Sequence, residues 1–248
     1  MSYPKNAILL VAGKGSRLEP YTDDRPKCFV EVNGKPIIIN MLDCLVNTEC
    51  KRVIIVVGYM QNYILKNLGF LYKGMEIDYI INKDYAVTNS MYSLYLALKH
   101  DDFSEDTWVI EGDIFIKTHM LRDIWKNHIP RAINWFVDSS AKNMDGCFLT
   151  SNKEKIITSV DIIRGDLSGL KSNQSKSVGM LMLTYAGIRA LRTWLAEGID
   201  NKRVNDYYDL IIKDNLDKLP VGAVNIAGYN WFEIDTPEDL QEAEKIFS

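Results

Sequence analysis

The sequence predicts an α/β protein of three layers, in which helices cover both faces of a mixed, mostly parallel central sheet. Through the first half of the chain, short apolar runs rich in Val and Ile alternate with segments of helical period. These runs are apolar throughout, as expected for strands whose two faces are both covered. Repeated strand–helix alternation favours parallel strands joined by helical crossovers.

The first half of the chain predicts the parallel part of the sheet, with strands at 7–12, 52–58, 75–82 and 107–113 and helices at 36–49, 60–70 and 90–100. Beyond residue 117 the predicted strands are shorter, and they lie at 132–138, 146–151, 155–163 and 178–184. Helices follow at 185–198 and 204–216, then a strand and turn at 223–235. A closing helix begins after Thr236, with Pro237 and Asp239 in favourable capping positions. The polar stretch 165–177 predicts an exposed loop.

Composition indicates an ordinary soluble globular protein and excludes several classes of function. The chain has 248 residues, of which 47% are hydrophobic and 25% charged, and its net charge of −4 argues against a nucleic-acid partner. Four cysteines and three histidines show no metal-ligand spacing, so we expect reduced thiols and no zinc site. No stretch predicts a signal peptide or membrane insertion. We therefore expect a cytoplasmic protein.

The segment Leu9–Lys27 is a glycine-rich loop after the first predicted strand, and it carries a high density of cations. Gly13 and Gly15 would let an anion approach backbone N–H groups closely. The dinucleotide-binding fingerprint fails because Leu18 stands where its third glycine is required, and the Walker spacing fails as well. The loop predicts a site for an anionic ligand.

The loop reads Ala-Gly-x-Gly-x-Arg-Leu-x-Pro and continues to Pro26-Lys27. From Ala12 to Lys27 it resembles, at every defined position, the signature of the nucleotidyltransferase superfamily that activates phosphorylated small molecules with nucleoside triphosphates. Three further features are similar to that superfamily: Gly58-Tyr59, Glu111-Gly112-Asp113 and Glu233-Ile234-Asp235. The resemblance covers the whole chain, more loosely between 114 and 220.

Within that superfamily the segments 82–97, 204–215 and 231–235 look most like bacterial CTP:phosphocholine and 2-aminoethylphosphonate cytidylyltransferases. The resemblance implies a Rossmann-like fold of the nucleotide-diphospho-sugar transferase type, as one domain over 1–248. Its nucleotide-binding half would be about 1–116 and its acceptor-binding half about 117–248. The implied reaction is Mg²⁺-dependent transfer of CMP from CTP to a small phosphonate or phosphate, with release of pyrophosphate.

One position departs from the choline-type enzymes, which have a tryptophan in the strand after the sheet core. The matching stretch 143–149 has Cys147 instead. Loss of an aromatic wall removes a cation–π contact worth roughly 0.5–2 kcal/mol. We therefore expect a smaller head group, such as a primary amine that pairs with Asp145.

The resemblance assigns Mg²⁺ to the carboxylates of Asp113, Glu233 and Asp235, which are hard oxygen ligands of the preferred kind. Arg17 and Lys27 are expected to bind phosphate groups and, with Asp113, to form the catalytic set. The attacking oxygen is already ionised, so positioning and charge neutralisation suffice without a general base. The alternative to metal binding for Glu233 and Asp235 is that both are acids exposed on the protein surface.

The remaining predicted contacts fall into two groups. The nucleotide-binding positions are Ala12, Gly13, Lys14, Gly15, Ser16, Arg17, Thr88, Asn89, Ser90 and Glu111. A helix N-cap role is an equal alternative for residues 88–90, and a solvated position is one for Lys14. The acceptor-binding positions are Lys27, Tyr92, Asp145, Tyr207, Tyr208 and Trp231.

Three other functions compete with cytidylyl transfer. A sugar-1-phosphate nucleotidyltransferase that uses UTP, dTTP or GTP would carry the same loop. A nucleotide-binding regulatory module is expected to lose Lys27 or a metal carboxylate, yet all are present. A nicotinamide oxidoreductase is disfavoured by Leu18. The expected partners are CTP and a small phosphorylated or phosphonate substrate, and a homodimer is compatible with the sequence.

Overall fold

A computed structural model describes residues 3–100, 103–126, 130–141 and 143–248. The strands are β1 (Asn6–Leu10), β2 (Glu31–Val32), β3 (Lys35–Pro36), β4 (Arg52–Val57), β5 (Leu71–Tyr72), β6 (Met75–Ile81), β7 (Thr107–Glu111), β8 (Ile114–Ile116), β9 (Ile133–Asp138), β10 (Gly146–Ser151), β11 (Ile157–Ile163), β12 (Gln174–Leu183), β13 (Val221–Asn225) and β14 (Trp231–Glu233). The α-helices are α1 (Ile37–Asn47), α2 (Gln61–Leu68), α3 (Ser90–His100), α4 (Met120–Trp125), α5 (Tyr185–Asp200), α6 (Tyr208–Lys213) and α7 (Pro237–Ile246).

Most strands form one mixed sheet in the order β11-β10-β12-β7-β1-β4-β6-β5, and β9 and β13 extend it beside β12. Its centre is parallel, since β1 pairs with β4 and β7, and β4 pairs with β6. The long strand β12 runs antiparallel to β7, β9 and β10 and so connects the two halves of the chain. The predicted mixed, mostly parallel sheet is confirmed.

Helices cover both faces of the sheet, because alternate strand residues point to opposite sides. On one face, helices α1, α2 and α4 pack against Leu9, Val53 and Ile55. On the other face, helices α3, α5 and α6 pack against Ile8, Ile54 and Val56. The strand residues are β-branched or leucine, and all are buried. The predicted three-layer α/β/α arrangement is therefore confirmed.

A smaller apolar cluster joins the amino-terminal loop to the end of the chain. Leu18 and Val32 pack with Ile234 and with Leu240 of helix α7. The predicted cap of this helix is present, since Thr236 Oγ1 accepts from Asp239 N and the Asp239 side chain accepts from Thr236 N. This cluster lies beside the carboxyl end of β1 and brings the two ends of the sequence together.

Several element boundaries differ from the prediction. Strand β12 begins at Gln174, inside the predicted exposed loop 165–177, and it buries Gln174, Lys176 and Ser177. Helix α6 covers only part of the predicted 204–216, because Tyr207 is extended at its start. The short elements β8 and α4 were not predicted, since each is too short to show a periodic pattern. The single-domain organisation over 1–248, with halves divided near residue 116, stays a prediction.

Candidate active site

The glycine-rich loop turns sharply after β1 and packs against the Pro26-Lys27 segment. Gly15 has φ 69°, and a Cβ there would lie 2.7 Å from Lys27 Cβ. Only glycine combines this left-handed backbone with such a close approach. The Thr22 hydroxyl donates to the Gly15 carbonyl at 3.3 Å. The loop is thereby held against the turn that carries Lys27.

Lys27 lies at the centre of a charged cluster. Its Nζ contacts Asp113 Oδ2 at 2.8 Å and Asp235 Oδ1 at 2.6 Å. The second oxygen of Asp235 pairs with Arg17 Nη2 at 2.9 Å. Burial disfavours the Lys27 ammonium, but Asp113 and Asp235 outweigh burial and raise the Lys27 pKa well above its usual value. Lys27 therefore stays charged throughout the physiological pH range.

The carboxylates of the cluster come from distant parts of the sequence. Glu111 ends β7 in the parallel sheet, and Asp113 follows two residues later. Strand β14 pairs antiparallel with β8, and Ile234 N donates to the Asp113 carbonyl at 3.0 Å. This pairing carries Glu233 and Asp235 to the carboxyl end of β7, as expected where parallel strands end.

A divalent cation could be held by Glu111, Asp113 and Glu233, whose carboxylate oxygens lie within 4.8 Å of one another. Asp113 Oδ1 is buried and has no hydrogen-bond partner among the residues that the structure describes. A buried acceptor without a donor is costly, so this oxygen fits a cation ligand. This cluster has Glu111 where the predicted set of Asp113, Glu233 and Asp235 has Asp235, whose two oxygens pair with Lys27 and Arg17.

The inner wall of the cleft contains a buried lysine that the sequence did not single out. Lys176 is 3% exposed, and its Nζ contacts Glu233 Oε2 at 2.6 Å and the Ser177 carbonyl at 3.1 Å. Gly146 makes room for it, since a Cβ there would lie 3.0 Å from Lys176 Nζ. Burial raises the pKa of Glu233, although Lys176 opposes this shift.

Asp209 and Cys147 lie beside this lysine. Burial raises the pKa of Asp209 to about 7, even though the Lys176 ammonium opposes the shift. Burial also raises the pKa of Glu111, and the neighbouring Asp113 and Asp209 carboxylates raise it further. The Cys147 thiol is buried, which raises its pKa well above the usual value and leaves it protonated. The wall therefore combines a neutral thiol with closely spaced opposite charges.

Another part of the cleft lining comes from the start of helix α3. Asn89 Oδ1 accepts from Ser90 N at 2.8 Å, and Asn82 Nδ2 donates to Thr88 Oγ1 at 3.1 Å. The Ser90 hydroxyl accepts from Tyr208 N at 3.3 Å. These side chains are held at the start of the helix by local hydrogen bonds, and they also line the cleft, whereas no side chain accepts from the second or third helical N–H as an N-cap would among the described contacts.

The structure places most of the predicted site residues around one cleft of about 340 Å³. The predicted positions that line it are Ala12, Gly13, Gly15, Ser16, Arg17, Lys27, Thr88, Asn89, Ser90, Glu111, Asp113, Tyr207, Glu233 and Asp235. Unpredicted side chains in its lining include Asn82, Arg164, Lys176 and Asp209. In the sequence Arg164 follows the predicted strand 155–163 and Lys176 lies in the predicted polar loop 165–177, and a single cation at such a position is a weak signal.

Five predicted site residues do not line the cleft. Lys14 points outward and pairs with Glu19 at 3.2 Å. Tyr92 reaches Asp84 at 3.4 Å. Asp145 accepts from Gly165 N and pairs with Arg164 at 3.5 Å. Tyr208 and Trp231 are buried in the two cores, because their apolar surface packs there.

Among the described residues, no helix combines the length and apolar character that crossing a bilayer requires. The cytoplasmic location stays a prediction.

Comparison with known proteins identifies the family. The MobA-like NTP transferase domain matches residues 7–178. A CTP:phosphoglutamine cytidylyltransferase from Campylobacter jejuni is 40% identical over 95% of this chain and 98% of its own length. A UTP–glucose-1-phosphate uridylyltransferase from Haloferax volcanii is 27% identical over 96% of this chain and 95% of its own.

A CMP-5'-(3-aminopropyl)phosphonate synthase from Streptomyces rubellomurinus is 27% identical over 99% of this chain, which spans only 39% of that protein's length. The solved structure of a CTP:phosphocholine cytidylyltransferase from Streptococcus pneumoniae shares the fold. Its TM-score is 0.78 at 23% identity, and the match covers 98% of this chain and 99% of that one. The loop, the acidic cluster and these similarities show that the chain is a nucleotidyltransferase and belongs to the MobA-like NTP transferase family.

Proposed function

We propose that this protein transfers CMP from CTP to a phosphate or phosphonate oxygen of a small acceptor. The acceptor oxygen forms a bond to the α-phosphorus, and the bond from that phosphorus to the oxygen bridging to the β-phosphorus breaks, which releases pyrophosphate. The observation that carries the proposal is the position of Lys27, between Asp113 and Asp235 and against the glycine-rich loop. A compact cation beside ordered carboxylates is suited to phosphoryl groups.

The chain's own residues account for binding and alignment. Gly13 has open space where its side chain would be, so the loop backbone can approach a triphosphate closely. Arg17 reaches across the mouth of the cleft and can hold a phosphate with two N–H groups. Release of Lys27 Nζ from Asp113 and Asp235 would let it reach the reacting phosphoryl group.

The residues present fit Mg²⁺, because Asp113 has a buried oxygen without a donor and two further carboxylates lie nearby. Asp113 and Glu233 are the ligands that our predicted set and the geometric cluster share, with Asp235 or Glu111 beside them. Mg²⁺ bound there would neutralise the triphosphate and polarise the α-phosphoryl group.

The preference for CTP rests on two lines of support. The relative with 40% identity over nearly the whole chain is a cytidylyltransferase, and it acts on phosphoglutamine. The polar side chains of Thr88, Asn89 and Ser90 line the cleft and could recognise the edge of a pyrimidine. The uridylyltransferase relative favours the sugar-1-phosphate alternative, which therefore needs a direct test.

The test is a matrix of four nucleotides against four acceptors, with pyrophosphate release as the readout. CTP, UTP, GTP and dTTP are each combined with 2-aminoethylphosphonate, choline phosphate, phosphoglutamine and glucose 1-phosphate in the presence of Mg²⁺. We expect release with CTP and at least one non-sugar acceptor, and loss of that release when EDTA removes the metal. Turnover confined to glucose 1-phosphate would establish the sugar nucleotidyltransferase instead.

A further inference from the structure

We propose that Asp209 binds a primary ammonium group on the acceptor and thereby makes the enzyme selective for aminoalkyl phosphates and phosphonates. The proposal rests on the proposed function and names the acceptor class for the same cleft. It also moves the expected partner of the amine from Asp145 to Asp209, because Asp145 is already held by Arg164 and by Gly165 N.

Of the acids that line the cleft, Asp209 and Glu111 form no ion pair in the described part of the chain, and of these two Asp209 has the buried oxygen without a hydrogen bond. Glu233 pairs with Lys176, and Asp235 and Asp113 pair with Lys27. Among the described residues Asp209 has no ion-pair partner within 4 Å, and its Oδ1 is buried without a hydrogen bond. It is 7% exposed and still lines the cleft. A buried carboxylate oxygen without a donor is costly, so a ligand that donates to it gains binding free energy.

Asp209 is not a member of the candidate metal cluster of Glu111, Asp113 and Glu233, although it lies close to Glu111 and Glu233. It faces Cys147, Lys176, Arg164 and Glu233 across the inner wall. The metal side of the cleft is thus suited to the phosphoryl end of an acceptor. The inner wall offers Asp209 to the other end, and an ammonium donates the strong charge-assisted bonds that a carboxylate prefers.

The wall is poorly suited to a trimethylammonium group, which binds best among several aromatic faces. Within the described part of the chain, the aromatic side chains that line the cleft are Tyr85 and Tyr207. The Tyr207 ring already faces the Arg164 guanidinium at 5.9 Å, and Tyr208 is buried. Cys147, which lines the same wall, offers no aromatic face. A compact ammonium with N–H donors therefore fits this wall better than choline.

The test compares 2-aminoethylphosphonate with propylphosphonate, in which a methyl group replaces the ammonium. For wild type and Asp209→Asn we would measure kcat/KM for CMP transfer, and also binding by calorimetry in the presence of Mg²⁺ and α,β-methylene-CTP. We expect the wild type to prefer the amine by about tenfold to a hundredfold, and the variant to lose most of that preference. Asp217→Asn, the same change at an exposed position beyond α6, is the matched control and should retain the wild-type preference.

The outcomes separate this inference from the proposed function. If Asp209→Asn lowers kcat/KM for both acceptors by the same factor, Asp209 has a structural role and the inference is overturned. Equal binding of the amine and the neutral analogue by the wild type would overturn it as well, without any need for a folded variant. Selective binding of the amine without pyrophosphate release would support the inference while contradicting cytidylyl transfer.

Discussion

At the scale of single residues, Lys27 is the central side chain of the charged cluster. It joins the glycine-rich loop to carboxylates from both later parts of the chain, at 2.8 Å and 2.6 Å. Its side chain is 14% exposed, so solvent screens these charges only partly. A group in this position can neutralise Asp113 and Asp235 in the free protein and a phosphoryl group when substrate is bound.

We expect Lys27→Met to lower kcat by about a hundredfold or more, because a charge that stabilises the developing transition state is removed. The methionine keeps most of the side-chain volume, so packing against Gly15 should persist. Lys245→Met, which removes an exposed lysine on α7, is the control and should keep full activity. The measurement is steady-state pyrophosphate release, with circular dichroism to check the fold. Unchanged kcat in Lys27→Met would contradict the assignment.

At the scale of elements, helix α7 helps to position the site that precedes it. Asp239 Oδ2 accepts from Thr236 N at 2.8 Å and from Asp235 N at 3.0 Å. The capping box therefore fixes the backbone of Asp235, whose side chain pairs with Lys27 and Arg17. The start of helix α7 and the charged cluster around Lys27 are therefore parts of one local structure.

We expect Thr236→Ala to destabilise the protein by about 0.5–2 kcal/mol, because the N-cap hydroxyl that accepts from Asp239 N is lost. Chemical denaturation monitored by circular dichroism gives the free energy of unfolding. Thr193→Ala, at an exposed position in the middle of α5, is the control. It should not lower the free energy of unfolding, since alanine is favourable inside a helix. Equal stability of Thr236→Ala and wild type would show that the cap is not needed.

The helices and strands that could be predicted from the sequence are those whose structure is determined by residues close together in the chain. Helix α3 runs from Ser90 to His100, as predicted, because its polar start and apolar period lie in adjacent residues. The closing helix was predictable for the same reason. Strand β8 was not, because three residues acquire strand structure only by pairing with β14, more than a hundred residues away in the sequence. The start of β12 depends likewise on its pairing with β10 and β9.

At the scale of the whole molecule, the fold brings together charged side chains whose clustering is not evident from the overall composition. The net charge is −4, yet the cleft lining contains Arg17, Lys27, Arg164 and Lys176 beside its carboxylates. Pairing of β14 with β8 and packing of α7 on the amino-terminal loop bring residues 17, 27, 113 and 235 together. A strongly anionic substrate can therefore bind to a protein that is acidic overall.

The site was predictable where a compact motif specifies it. The predicted loop positions Ala12, Gly13, Gly15, Ser16, Arg17 and Lys27 and the acids at 111, 113, 233 and 235 line the cleft, whereas Lys14 points outward. The acceptor end was less predictable, because the contacts there depend on side-chain packing between strands distant in sequence. Trp231 donates to buried Asp138 at 2.7 Å instead of lining the cleft, and Lys176 lines it from a segment that was predicted to be an exposed loop. No local pattern distinguishes these two outcomes.

The most direct test of the central claim, that acids and a lysine from both ends of the chain form one centre for CMP transfer, is ³¹P NMR. Wild type and Asp113→Asn would each be incubated with CTP, Mg²⁺ and the acceptor that releases the most pyrophosphate in the matrix. For the wild type we predict equal amounts of pyrophosphate and a new anhydride between the CMP phosphorus and the acceptor phosphorus. The variant should fold normally and give neither. Retained turnover in Asp113→Asn, or formation of CDP and inorganic phosphate without the anhydride, would contradict the account.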